Sequence, residues 1–196
     1  MPRKASIQRK TKETDIKIKL NIDGKGNADI STSIPFLDHL LTNFTKHGLF
    51  DLKIRAKGDI EIDQHHTVED IGISLGESFK EGLSDKKGIN RAGYFVFPLD
   101  ESLSVVAVDI SGRAFLNFNC KFKKEKIGDL DSDLIKEFFW GFVRSIKATL
   151  HIRILCGENE HHKAESLFKA FGKAMKVACS KEKRALKELP STKGLI

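Results

Sequence analysis

An α+β protein assembled from two similar half-domains is what this sequence predicts, and three observations carry the prediction. Strand-like and helix-like periodicities alternate along the chain and run through the same order twice. The stretch DQHHTVED at 63–70 is answered 96 positions later by NEHHKAES at 159–166, so His-His-x-x-Glu occurs in each half. LKIRAKGD at 52–59 matches LHIRILCGE at 150–158, just ahead of each copy. Self-similarity at a fixed period marks an internal repeat. The expected halves are 1–88 and 89–196, each β-β-α-β-α, packed as one compact unit with a C-terminal tail.

Alternation of apolar and polar residues predicts strands at 14–22 and 28–34, with Gly24 and Gly26 turning between them. PFLDHLLTNFTKHG at 35–48 predicts a helix: Pro35 suits its first turn, Leu37, Leu40, Leu41 and Phe44 share a face, and Gly48 closes it. Short strands follow at 50–56 and 59–63 on either side of Gly58. From His65 to Leu83, the residues Val68, Ile71, Leu75 and Phe79 recur at helical spacing. In the second half, 93–99, 102–110 and 114–122 are expected strands and 134–149 a helix. A strand at 150–155 and a helix at 161–178 complete the order.

Composition narrows the functional classes. The chain has 196 residues, 40% of them hydrophobic, enough for a core without staples. Three cysteines lie far apart with no C-x-x-C spacing, which argues against a disulfide framework and a thiolate metal site. MPRKASIQRK is basic with no apolar stretch behind it, unlike a secretory signal, and nothing approaches the ~20 apolar residues of a membrane span. The expectation is a cytoplasmic protein without membrane contact. Lys and Arg exceed Asp and Glu by 34 to 27, a charge of +7. Lys163, Lys169, Lys173, Lys176, Lys181, Lys183 and Lys187 are read as the solvated face of one late helix.

The repeated motif carries the chemistry. Neighbouring helical residues point about 100° apart, so His65 and His66 cannot serve one ion together with Glu69. His65 and Glu69 lie at i and i+4 and can clasp one ion, which leaves His66 for another. His161, Glu165 and His162 repeat that arrangement. Two copies therefore suggest two ions, each held by one helical His/Glu pair plus the outlying His of the other copy. His39 and His151 could complete four ligands apiece. Imidazole with one carboxylate suits Mn, Fe, Ni or Zn.

Six segments, PFLDHLLTNFTKHG, DQHHTVEDIGISLGE, GINRAGYFVFPLDE, DISGRAF, NEHHKAESLFKAFGKAM and LPSTKG, together resemble the imidazoleglycerol-phosphate dehydratase family over nearly the whole chain. The resemblance implies a duplicated half-domain like domain 2 of ribosomal protein S5, and a homo-oligomer of 24 chains built from trimers. It implies two Mn2+ ions per active site. One would take His39, His66, His161 and Glu165; the other His65, Glu69, His151 and His162, with ligands drawn from different chains. It further implies Glu13 and His47 at the substrate, and Arg91, Arg113, Ser191 and Lys193 at its phosphate; a carboxylate and an imidazole can move protons near neutrality, which makes Glu13 and His47 the acid/base candidates. Guanidinium forks, a hydroxyl and an ammonium all suit a phosphate dianion.

The implied reaction removes water from D-erythro-imidazole glycerol phosphate to give imidazole acetol phosphate in histidine biosynthesis. An imidazole ring has two nitrogens, which gives a reason for two ions gripping it from both sides. A dinuclear metallohydrolase is the rival enzyme class, but such sites usually rest on bridging carboxylates, and this set is six His to two Glu. An RNA-binding module would need exposed aromatics beside the basic residues. The phenylalanines sit at core spacing instead, so a phosphorylated small molecule is the expected partner and nucleic acid is not.

Overall fold

The computed structural model describes residues 3–196; Met1 and Pro2, with which the first half-domain begins, lie outside the described residues. In the first half, strands β1 (Lys4–Lys10), β2 (Thr14–Asn21) and β3 (Ala28–Ser31) precede helix α1 (Pro35–Gly48), strand β4 (Asp51–Gly58) and helix α2 (His65–Leu83). In the second, β5 (Ala92–Leu99), β6 (Ser102–Asp109) and β7 (Phe115–Asn119) lead through a short hairpin, β8 (Lys126–Ile127) and β9 (Leu130–Asp131). Helix α3 (Leu134–Ile146), strand β10 (Thr149–Cys156) and helix α4 (Glu160–Cys179) follow.

The duplication is plain in the sheets. One has the order β1-β2-β4-β3, the other β5-β6-β10-β7. In each, the third strand runs parallel to the strand after the helix, and the remaining pairs are antiparallel. Alternate residues of β2 and β4 (Ile16, Ile18, Leu20; Leu52, Ile54, Ala56) point inward and are buried, as a one-sided sheet requires. The helices pack across the seam, α2 against α3 and α1 against α4. Glycine permits this closeness: a Cβ on Gly76 would run into the backbone of Phe142, and one on Gly172 into that of Phe44, positions 96 apart. Phe44, Phe79, Phe138, Phe139, Phe142, Phe168 and Phe171 fill the space between as the shared core.

Several local expectations are corrected. The first half has a leading strand, β1, that the sequence hid: its outward positions Lys4, Ser6, Gln8 and Lys10 and only one buried residue, Ala5, leave little apolar alternation. Residues 59–63 form a turn, not a strand; Asp59 O accepts from Ile62 N at 2.8 Å, and Ile62 is 76% exposed with no strand to pair with. The late helix ends at Cys179, so Lys181, Lys183 and Lys187 lie on the tail beyond it. That tail is pinned along residues 86–91 by Glu182 N to Gly88 O and Gly88 N to Glu188 O, both 2.8 Å. Among the described residues no helix is long and apolar enough to cross a membrane.

Asp51 ties the ends of three strands of the first sheet. Its carboxylate accepts from Lys25 N (2.9 Å), Asn27 N (3.1 Å), Asn27 Nδ2 (2.9 Å) and Asn21 Nδ2 (3.2 Å). These bonds, the Lys25 amide foremost, hold its pKa below the usual carboxylate range. A depressed carboxyl adds stability above its unfolded pKa of about 3.9 and loses it as pH falls through the folded value. Asp51→Asn is therefore expected to lower the urea midpoint at pH 7 and to lose less of it than the parent on acidification to pH 3.

Candidate metal and substrate site

The seam between the halves gathers the titratable side chains. Helix α1 begins at Pro35, which needs no N–H partner there, and Asp38 folds back to accept from Thr32 N (2.9 Å) and Thr32 Oγ1 (2.6 Å). Four-residue spacing then lines up His39, Asn43 and His47 along one face. Helix α4 is started by Asn159, whose side chain accepts from His161 N (2.9 Å) and His162 N (3.4 Å). The same spacing lines up His161, Glu165, Lys169 and Lys173. Because α1 packs on α4, the two rows meet.

At one end His39 Nε2 and His161 Nε2 approach a single oxygen, Glu165 Oε2, at 3.0 and 2.9 Å. Among the described residues these form the one group of three metal-type donors whose atoms all lie within 4.8 Å of one another. Burial pushes the Glu165 carboxyl up, but Lys169, with His39 and His161, more than offsets that and holds it at about 2. It is an anion at any physiological pH. Further along, His47 meets Phe97 edge-on at 5.1 Å between centroids. Burial first, then the Lys169 and Lys173 ammonium groups, lower its pKa, so the imidazole is neutral at pH 7.

The remaining expected ligands stand apart within one chain. His66 Nδ1 lies 3.1 Å from Asp59 Oδ2, and 3.9 Å from Glu13 Oε2. His162 Nδ1 lies 2.8 Å from Glu101 Oε2. Both rings are drawn above the ordinary imidazole value, chiefly by those hydrogen bonds with Asp59 and Glu101. Glu69 pairs with Arg144. His151 is exposed on the outer face of the second sheet, 5.8 Å from the Phe115 ring. His65 lines a cleft of about 630 Å³ with Phe118, Cys120 and Phe122.

The four expected phosphate residues are drawn to one edge by the tail. Arg91 has a left-handed backbone, φ 68°. Its fork donates to Asp109 Oδ1 and Oδ2 at 2.7 and 3.0 Å, and its third nitrogen to Pro190 O at 2.9 Å. Ser191 follows, accepting from Lys193 N at 3.2 Å. The chain end, Ile196, packs over Gly112 beside the exposed Arg113.

Sequence reasoning missed several members. Lys163 and Lys169 are not solvated: Lys163 is 4% exposed against Glu160 at 2.8 Å, and Lys169 pairs with Glu165 at 2.6 Å. The i+4 spacing from Glu165 to Lys169 was the available signal. Asp59 and Asp109 each lie close in sequence to an expected site residue, but Glu101 reaches His162 across 61 positions and leaves no local trace.

Comparison with known proteins fits this geometry. The family described as Imidazoleglycerol-phosphate dehydratase matches residues 32–175. Proteins of that name from Koribacter versatilis (52% identical over 99% of this chain and 100% of the relative) and Citrifermentans bemidjiense (55%, over 99% of each) are among the relatives. Among solved structures, Imidazoleglycerol-phosphate Dehydratase from Staphylococcus aureus superposes with a TM-score of 0.82 at 40% identity, covering 91% of this chain and 99% of that one. IGPD from Pyrococcus furiosus gives 0.84 at 39%, covering 97% and 100%.

Proposed function

The chain belongs to the imidazoleglycerol-phosphate dehydratase family, a hydro-lyase of histidine biosynthesis, and from that premise we propose how its residues carry out the reaction. The observation that carries the reading is the convergence of His39 Nε2, His161 Nε2 and Glu165 Oε2. Two imidazoles and a permanently ionised carboxylate are a donor set that fits Mn2+. His66 would be the fourth ligand of that ion, and His65, Glu69, His151 and His162 would hold a second. Within one chain these two sets are incomplete, which supports a homo-oligomer in which neighbouring copies complete each other's sites; the 24-mer of trimers is what the family resemblance implies. If bound, the two ions would supply Lewis acidity to the substrate imidazole, favouring the ring's anionic form, whose electrons help the hydroxyl on the attached carbon to leave.

The chain's own groups do the rest. Arg91, Arg113, Ser191 and Lys193 hold the phosphate and so fix the carbon chain relative to the ring. Glu13, exposed on the turn before β2, is in reach of the His66 end of the site and takes the acid/base role. His47, neutral at pH 7, is the second group able to move a proton. Dehydration removes hydroxide from the ring-bearing carbon and a proton from its neighbour; the resulting enol becomes the ketone of imidazole acetol phosphate. The test is turnover of D-erythro-imidazole glycerol phosphate by chelator-treated protein and by the same sample refilled with Mn2+. Activity should disappear with the metal and return with Mn2+; activity that survives complete metal removal overturns the two-ion reading.

A further inference from the structure

We propose that Asp59 and Glu101 are positioning residues that fix the second histidine of each motif copy, His66 and His162, in one tautomer, with hydrogen on Nδ1 and the Nε2 lone pair presented outward. This deepens the metal reading above and rests on it. The geometry is the same in both halves: Nδ1 of His66 is 3.1 Å from Asp59 Oδ2, and Nδ1 of His162 is 2.8 Å from Glu101 Oε2. A carboxylate can only accept, so the ring nitrogen between them carries the proton and the other nitrogen is left free to ligate. A carboxylate behind a ligating histidine also raises its basicity and holds the ring plane.

The two halves reach this arrangement by different routes, so inheritance of one contact through the repeat does not explain it. Glu101 immediately precedes β6, in the turn after β5. The residue in the same place in the first half, immediately before β2 in the turn after β1, is Glu13. Glu13 comes within 3.9 Å of His66 Nδ1 but does not bond it, because Asp59, from the turn after β4, has taken that nitrogen. In the matching stretch of the second half Glu158 stands where Asp59 does, yet the residue bonded to His162 Nδ1 is Glu101, whose carboxylate also accepts from Glu158 N. Glu101 is also committed through its other oxygen, Oε1, which accepts from Asn159 N (2.8 Å), Glu158 N (3.1 Å) and Ser102 Oγ (3.1 Å). The repeat has thus diverged in function: the hairpin carboxylate of the second half is bound up in holding a histidine, and Asp59 relieves its first-half counterpart, Glu13, of that task. This gives a structural reason for Glu13 to be free to meet substrate.

Two measurements on the full-length protein test this. Mn2+ affinity, by competition against a chelator of known strength, should weaken about 10–100-fold in Asp59→Ala, with a smaller loss in Asp59→Asn and Glu101→Gln, which keep an acceptor oxygen. Nitrogen-15 spectra of the metal-free protein at pH about 9, above the ordinary imidazole range, should show His66 and His162 protonated at Nδ1, and Asp59→Ala should mix the His66 tautomers alone. Variants that bind Mn2+ like the parent overturn the inference and leave the metal reading intact. A parent protein that takes up no Mn2+ overturns the metal reading; the nitrogen spectra then decide, and rings that are not fixed as Nδ1–H overturn the inference as well.

Discussion

Replacing His161 with alanine is expected to reduce turnover by at least about 10³-fold, on the order of 4 kcal/mol of barrier, and, on the proposed reading, to lower bound Mn2+ from two ions per active site toward one. His161 Nε2 and His39 Nε2 share the Glu165 oxygen at 2.9 and 3.0 Å. On the proposed two-ion reading, removing this imidazole takes away a direct ligand, and it leaves Glu165 with one fewer partner for its charge. Loss of a group that merely supports a ligand already costs 10–100-fold, so a ligand itself should cost more. The fold should survive, since His161 is exposed and α4 is held by Asn159 at its start and by Leu167, Phe168 and Phe171 in the core. Metal content and turnover measured on the same sample check the expectation: a variant with two ions and near-parental turnover would remove His161 from the site.

Arg91→Ala should raise KM for the phosphorylated substrate about 10–100-fold, the range that loss of one charge-assisted hydrogen-bonding group of ~1.5–3 kcal/mol predicts, with a smaller change in kcat. The argument is geometric as well as electrostatic. Asp109 grips the guanidinium at 2.7 and 3.0 Å, and Pro190 O accepts its third bond. The same side chain thereby anchors the tail that brings Ser191 and Lys193 to that edge. Arg91→Lys should recover only part of the loss, because an ammonium cannot span both Asp109 oxygens and the carbonyl in one plane. Steady-state kinetics with the two variants, alongside Arg113→Ala, separate phosphate grip from tail placement. Equal KM in parent and Arg91→Ala would take Arg91 out of the phosphate site.

What was legible in the sequence was whatever local periodicity encodes. The four long helices, most of the strands and the repeat could be read because apolar spacing of 3.6 or 2 residues is written along the chain. The pairing of His161 with Glu165 was readable because i and i+4 on a helix must be neighbours. Strand β1 was not, because lysine at Lys4 and Lys10 and an arginine at Arg9 mask its alternation. DIEID at 59–63 looked like a strand because Ile60 and Ile62 alternate with acids, yet no partner strand exists to satisfy its backbone, so it turns.

The sequence by itself determined an α+β chain of two related halves, with two sets of histidines and carboxylates at helical spacing. Only the tertiary structure decided which of them meet. His39 reaches Glu165 across 126 positions because glycines at the helix crossings let α1 lie close on α4. Lys163 is buried against the loop that holds Phe122, and Lys169 is partly buried over Phe97 of the second sheet. The physical reason is that periodicity fixes which face of an element a residue occupies, whereas its partner is fixed by how elements pack, which depends on side-chain volumes far apart in the chain.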